Sequence, residues 1–191
     1  MTNSVFIHPT AVIDEGSTIG SRTKIWHFSH IMPKSIIGED CNIGQNVVIS
    51  PNVRLGRGVK VQNNVSIYTG VICEDDVFLG PSVVFTNVIN PRSFVVRKEE
   101  FKETYVEKGA TLGANATIIC GNRIGAYAMI GAGAVLTKSV KPYQLVVGNP
   151  AKPMGWVSKN GHQLNFNETN EAICPETQEK YLLKDNSVIP L

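Results

Sequence analysis

From residue 7 onward, every sixth position is apolar: Ile7, Ile13, Ile19, Ile25, Ile31, Ile37, Ile43, Ile49, Leu55, Val61, Ile67, Cys73, Leu79 and Phe85. Two positions before each stands a small or β-branched residue, from Val5, Ala11 and Ser17 to Val71, Val77 and Val83. The period is lost after Phe85 and resumes at Leu112, Ile118, Ile124, Ile130 and Leu136, with partners running from Ala110 to Ala134. An α-helix cannot keep a period of six on one face, because 3.6 residues per turn walks the stripe around the axis. A short strand followed by a corner can.

Residues i and i−2 of a strand point the same way, so the aliphatic and its small partner enter one interior. A glycine follows the aliphatic at Gly20, Gly38, Gly44, Gly56, Gly80, Gly113, Gly125 and Gly131, where unusual corner dihedrals are expected. Gly20, Gly38 and Gly56 are 18 apart, so three hexads make one coil of a triangular prism. At about 4.8 Å per coil, a little over six coils reach about 30 Å. The pattern predicts an all-β parallel β-helix.

Outward residues also superpose at a spacing of 18. His27, Gln45, Asn63 and Pro81 form one column beside Phe28, Asn46, Asn64 and Ser82, while Pro33, Pro51, Thr69 and Asn87 form another. The stretch NVINPRSFVVRKEEFKETY, residues 87 to 105, is charged and lacks the period. A loop of that length inside a regular domain is an excursion with work to do, expected here to reach a neighbouring subunit. The period ends for good after VVGNPAKPMGWV. The expected organisation is therefore a β-helix domain over residues 1–157, interrupted by the loop, with a tail over 158–191 packed on it.

Composition narrows the function classes. With 42% hydrophobic residues, 18% charged and a net charge of +2, the 191-residue chain suits a folded domain and gives no electrostatic reason to bind nucleic acid. No apolar run is long enough for membrane insertion, and the opening MTNSVFIHPT lacks the basic start and apolar stretch of a signal peptide, so a cytoplasmic protein is expected. Cys41, Cys73, Cys120 and Cys174 are far apart and read as reduced thiols. The tail segment NGHQLNFNETNEAICPETQEKY has the rhythm of a zinc ribbon that retains only Cys174 and His162, too few for a four-coordinate site.

These repeats resemble those of the left-handed β-helix acyltransferases, and VVGNPAKP resembles the segment by which many of them leave the helix. The resemblance covers about residues 5–157. It implies left-handed coiling, a homotrimer with sites between subunits, and an acyl-thioester donor. More narrowly, SIYTGVICEDDVFLGPSVVFTNVINPRS is similar to bacterial N-acetyltransferases of the 3-amino group of a UDP-2-acetamido-3-amino-2,3-dideoxyglucuronic acid, which serve cell-surface polysaccharide (O-antigen) precursor synthesis. A UDP-amino-sugar acceptor and acetyl-CoA as co-substrate follow from it.

In that family the pantetheine arm lies in a cleft between adjacent prisms, where bulky side chains would block it. GANATIICGNRIGAYAMIGAGAVL fits, with Gly113, Ala114, Ala126 and Ala132 leaving room for an extended chain. Alanine and glycine also suit tight corners on purely structural grounds. Lys138, Lys141 and Lys152 supply positive charge for the CoA phosphates.

Acetyl transfer to an amine needs positioning, loss of a proton and donors for a developing oxyanion. The loop contains no histidine, and the resemblance places Asn87 at its root as the catalytic candidate, an amide able to hold the amino group. An amine whose conjugate acid has a pKa of about 8 is partly neutral already. The departing thiolate can take the last proton. For the two phosphates and carboxylate of the acceptor the candidates are Arg92 and Arg97, accompanied on the loop by Lys98. Tyr68 and Asn63 are candidate hydrogen-bonding or stacking partners, Glu74 a partner for the ammonium, and His27 a contact for the uronate, a phosphate or only water. No metal is expected, because His8, His27 and His30 lack the 18-residue spacing that would stack them. Alternatives remain a 4-amino nucleotide sugar or a hydroxyl as acceptor and, in another class, a non-catalytic β-helix scaffold.

Overall fold

The computed structural model describes residues 4–191, so the first three residues of the opening segment lie outside the described residues. Each hexad forms a two-residue strand and a four-residue corner, as in Lys24–Ile25, His30–Ile31 and Ile36–Ile37. Successive strands go to three different faces. Face A runs from Phe6–Ile7 to Gln144–Val147, face B from Val12–Ile13 to Val135–Leu136, and face C from Thr18–Ile19 to Arg123–Ile124. All pairing within these stacks is parallel, with Ile7 on Ile25, Ile25 on Ile43 and Ile43 on Val61. The 18-residue step becomes 33 across the interruption, where Leu79 pairs with Leu112, Phe85 with Ile118 and Cys73 with Val106.

The aliphatic of each hexad and its partner two residues earlier share one core, in which Ile25, Val47, Ile67, Val83 and Leu112 are wholly buried. Most of the polar partners are satisfied, Thr104 Oγ1 being the buried hydroxyl without a hydrogen-bond partner among the described residues. Thr23 Oγ1 donates to the carbonyl of Gly38 at 2.8 Å and Ser29 Oγ to that of Gly44 at 2.7 Å. The same oxygens accept the N–H groups of Cys41 and Val47 from the next coil, so each buried hydroxyl ties two coils together. Among the described residues no coil lies beneath the first one, and Ile7 is 42% exposed.

The glycine expectation is corrected. In most corners a left-handed residue stands three positions after the aliphatic and is often not glycine: Arg22, Phe28, Lys34, Asp40, Asn46 and Asn52 all have φ near +60°. The glycine directly after the aliphatic answers a different need, close approach between coils. A Cβ on Gly38 would lie 2.5 Å from the carbonyl oxygen of Gly56, and one on Gly20 2.5 Å from the carbonyl carbon of Gly38. Any side chain there would push the coils apart.

At the carboxyl-terminal end the last face-A strand turns into Lys152–Trp156, which pairs with it antiparallel. Beyond it, Glu171–Ile173, Lys180–Lys184 and Ser187–Pro190 form a three-stranded antiparallel sheet over its own cluster of Leu164, Ala172, Cys174, Tyr181 and Val188. Tyr143 of the prism packs between Tyr127, at 5.3 Å, and Tyr181, at 5.9 Å. In the segment with zinc-ribbon rhythm two tight turns meet: Cys174 Sγ lies 3.3 Å from Ser158 Oγ, and His162 Nε2 lies 2.7 Å from the Glu176 carboxylate. Among the described residues there is no group of three potential metal ligands and no helix long and apolar enough to cross a membrane.

Candidate active site

The three corners of the prism make three edges, and the candidate residues are distributed among them. On the edge between faces A and B the column reads His27, Gln45, Asn63, Pro81, Ala114 and Ala132, from the polar amino-terminal coils to small residues in the last ones. The chain is continuous through this column: Asn46 N–H donates to the His27 carbonyl, Asn64 to that of Gln45, and Gly133 to that of Ala114. Gly113 sits beside Ala114, and a Cβ on it would come within 2.5 Å of the Ala132 nitrogen. A cleft of 200 Å³ opens at the polar end between Trp26, His27, Gln45 and Asn63. His8, 19 residues before His27 and not 18, stacks its ring on His27 with centroids 3.5 Å apart, which corrects the expectation that these histidines stay separate. Desolvation, and then the neighbouring His27, pushes the His8 imidazole below its ordinary pKa.

The edge between faces B and C carries Tyr68, Asn87 and Lys138, together with the excursion. Thr86 Oγ1 accepts the N–H of Cys120, and the Asn87 carbonyl accepts the N–H of Lys102, so the loop is pinned at its root from both sides. Asn87 is half-buried there, one coil above Thr69. The loop itself forms a bridge between Arg92 and Val95 and a single 3-10 turn at Lys98–Glu100. It shelters a cavity of 310 Å³ lined by Val88, Arg92, Val95, Arg97 and Phe101. The two arginines differ. Arg97 is held by both oxygens of Glu100, at 2.8 and 2.9 Å, whereas Arg92 is exposed and, among the described residues, donates only to the Pro91 carbonyl. Phe94 and Val96 at the tip are more than four-fifths exposed.

The third edge, between faces C and A, carries Glu74, Ala126 and Lys141. Glu74 Oε2 accepts the N–H of Lys108 and so staples one coil to the next. Ala126 has both backbone groups engaged, its N–H on Glu107 and its carbonyl on the N–H of Tyr143. The Lys141 ammonium donates to the Asn186 carbonyl in the tail at 2.7 Å. The tail packs along this edge, and these three residues are separated from Asn87 and from Ala114 and Ala132. Lys152 lies exposed on the antiparallel strand after the last coil.

One chain therefore unites Tyr68, Asn87, Arg92, Arg97 and Lys138 on one edge, and His27, Asn63, Gly113, Ala114 and Ala132 on another. The 310 Å³ cavity belongs to the first set and the 200 Å³ cleft to the second. Reading the sequence alone missed the outward column of face C, where Arg54, Ile72 and Tyr105 are neighbours, because the step from 72 to 105 is 33 and not 18.

Residues 16–51 match the family described as bacterial transferase hexapeptide (six repeats), and residues 35–69 and 104–138 that described as hexapeptide repeat of succinyl-transferase. The chain is 44% identical over 190 residues to the dTDP-3-amino-3,6-dideoxy-alpha-D-galactopyranose 3-N-acetyltransferase of Aneurinibacillus thermoaerophilus, covering 100% of this chain and 97% of that one. Among solved structures, galactoside acetyltransferase in complex with coenzyme A superposes with a TM-score of 0.58 at 21% identity, covering 70% of this chain and 68% of that one. The acetyltransferase domain of PglB from Neisseria gonorrhoeae FA1090, in complex with acetyl coenzyme A, gives 0.53 at 19%, covering 78% of this chain and 57% of that chain, so this chain spans little more than half of it. At such identities both structures speak for the fold alone. With the repeat matched in sequence and the whole chain aligned to one relative, this protein belongs to the hexapeptide-repeat acetyltransferases, built on a left-handed parallel β-helix.

Proposed function

We propose that the protein is an acetyl-CoA-dependent N-acetyltransferase of a nucleotide-linked amino sugar, and that its acceptor is a UDP-2-acetamido-3-amino-2,3-dideoxyglucuronic acid destined for a cell-surface polysaccharide. The observation that carries this is the 44% identity, over the full chain, to an enzyme named for 3-N-acetylation of a nucleotide-linked 3-amino sugar. That name also favours a second reading, a dTDP-linked 3-amino-6-deoxyhexose as acceptor.

The donor groove is the edge of Gly113, Ala114 and Ala132, where small side chains let an extended pantetheine reach the backbone. Asn87 positions the acceptor amine from a different edge. Because the two edges of one chain do not meet, the site is completed by a second copy, and a cytoplasmic homotrimer supplies three such sites. The excursion supports this assembly, since it carries exposed Phe94 and Val96 away from the prism. In the reaction the neutral amine attacks the thioester carbonyl, the C–N bond forms as the carbonyl oxygen takes up the charge, and collapse breaks the C–S bond. The nitrogen proton passes to the departing CoA thiolate, so no protein base is required.

The test is CoA thiol release with three acceptors: the UDP-linked 3-amino-uronate, the dTDP-linked 3-amino-6-deoxyhexose and a UDP-linked 4-amino sugar. Turnover with the first by at least about 100-fold in kcat/KM over the others is expected, equivalent to about 2.7 kcal/mol of discrimination. Preference for the second overturns the uronate assignment. Silence with all three, while acetyl-CoA still raises the melting temperature, overturns the amino-sugar reading.

A further inference from the structure

Face C carries a built trough that none of the residues discussed above explains. Its floor is Ile72, and in the same outward column Arg54 lies one rung below and Tyr105 one rung above. At about 4.8 Å per rung, the guanidinium and the phenol rise from positions about 10 Å apart. The returning loop forms the rim, with Phe101 and Glu103 opposite Thr69 at the adjoining edge. Gly70 makes this closure possible: its φ is +96°, and a Cβ there would press to 3.3 Å from the carbonyl of Lys102. The trough is open to solvent along one side and has a volume of 440 Å³, within the usual range for small-molecule sites.

The lining has a consistent chemistry. Tyr105 Oη donates to the Glu103 carboxylate at 2.5 Å, which fixes both side chains, and that hydrogen bond pushes the phenol above its ordinary pKa. Arg22, Arg57, Arg97 and Arg123 each face a carboxylate. Arg54 is exposed at the end of the trough and, among the described residues, has no ion-pair partner. Ile72 and Phe101 offer apolar surface suited to the C–H face of a pyranose or to a base, while the Arg123 guanidinium lies over the Tyr105 ring, 5.4 Å from its centroid. The trough opens at the loop root, since Lys102 donates to the Asn87 carbonyl and Thr69 lies one coil below Asn87 in the same column.

We propose that this trough seats the acceptor, with Arg54 binding its anionic group, either the uronate carboxylate or the diphosphate, while the Glu103–Tyr105 pair engages sugar hydroxyls. The proposal rests on the amino-sugar reading above. It makes Arg54 a specificity-determining residue, because a guanidinium grips a carboxylate or phosphate through paired N–H donors.

The experiment is thiol release by the full-length protein and by Arg54→Met, which keeps the aliphatic stem and removes the charge. The acceptors are a UDP-linked 3-amino-uronate and the matching UDP-linked 3-amino-6-deoxy sugar. The acceptor KM of Arg54→Met is expected to rise about 10- to 100-fold, the worth of a hydrogen bond to a charged group, with kcat and the acetyl-CoA KM within twofold of wild type. A rise with the uronate alone assigns Arg54 to the carboxylate, and a rise with both assigns it to the diphosphate. An unchanged acceptor KM with both, in a protein that turns over normally, overturns the seat and leaves the enzyme assignment standing. No release by the wild type with either acceptor, nor with the dTDP-linked 3-amino-6-deoxyhexose, overturns both. Arg54→Lys, which keeps the charge without the paired donors, is expected to fall between the two, and it stands in for Arg54→Met should that variant melt early.

Discussion

The backbone N–H of Lys102 donates to the carbonyl of Asn87 at 2.9 Å, so residues 88–101 leave the prism and return to it through one point. The strands on either side, Val84–Phe85 and Thr104–Val106, stay in register with their neighbours as though the excursion were an ordinary corner. The candidate amide therefore stands on the rigid prism while the loop it anchors is built from short turns. This is the arrangement expected when a scaffold must hold a reacting group still.

Asn87→Ala should lower kcat for acetyl transfer about 100-fold, the usual order for losing one aligned donor, while the acetyl-CoA Kd stays within twofold. Steady-state kinetics together with calorimetric titration of acetyl-CoA would check it. Retention of wild-type kcat removes Asn87 from the reaction.

Replacing residues 88–101 with a short Gly-Ser turn should leave the prism folded, because the pinning bond and both flanking pairings remain. Closure entropy changes little when a loop is shortened, roughly 0.6 kcal/mol per halving. The melting temperature should move by only a few degrees while acetyl transfer is lost and, in sedimentation analysis, the assembly weakens.

Ala132→Leu and Ala126→Leu separate the two small-residue edges. On the assignment of the donor groove to Ala114 and Ala132, the first should abolish the rise in melting temperature on adding acetyl-CoA, which at 100 times Kd corresponds to about 2.7 kcal/mol. The second lies where the tail packs and should leave that rise intact.

Gly38→Ala tests the close approach of coils. With a methyl 2.5 Å from the Gly56 carbonyl oxygen, the stack must open locally, at a cost of about 1–3 kcal/mol in urea unfolding. An unchanged midpoint would show that the coils can separate freely there.

Arg22 donates to both oxygens of Asp40, at 2.6 and 2.7 Å, and this holds the Asp40 carboxyl below its ordinary pKa. A carboxyl with a lowered folded-state pKa contributes stability above its unfolded value and loses it as pH falls through the folded one. The pair is exposed, so Asp40→Asn should change stability little at pH 7. It should flatten the loss of stability as the solution is acidified below about pH 4, the unfolded value of an aspartate, in melting curves taken along a pH series.

A period of six was enough to specify a three-sided coil, because only short strands joined by corners return an aliphatic and its i−2 partner to one interior at every turn. Ile25, Ser29 and Ile67 could be assigned inward from spacing alone, and the interruption after Phe85 was visible as a loss of that spacing. The same pattern pointed to corner dihedrals as the reason glycine follows the aliphatic and was wrong, since the distance from Gly38 to the coil above exists only once coils are stacked. It was silent on the separation of Glu74, Ala126 and Lys141 from Asn87, because repeats make all three edges look alike in sequence. Arg54, Ile72 and Tyr105 became one column only through the 33-residue step across the loop. Local periodicity determined the prism. Which outward side chains share a surface was decided by where the excursion returns and where the tail packs, contacts between distant segments that no local pattern encodes.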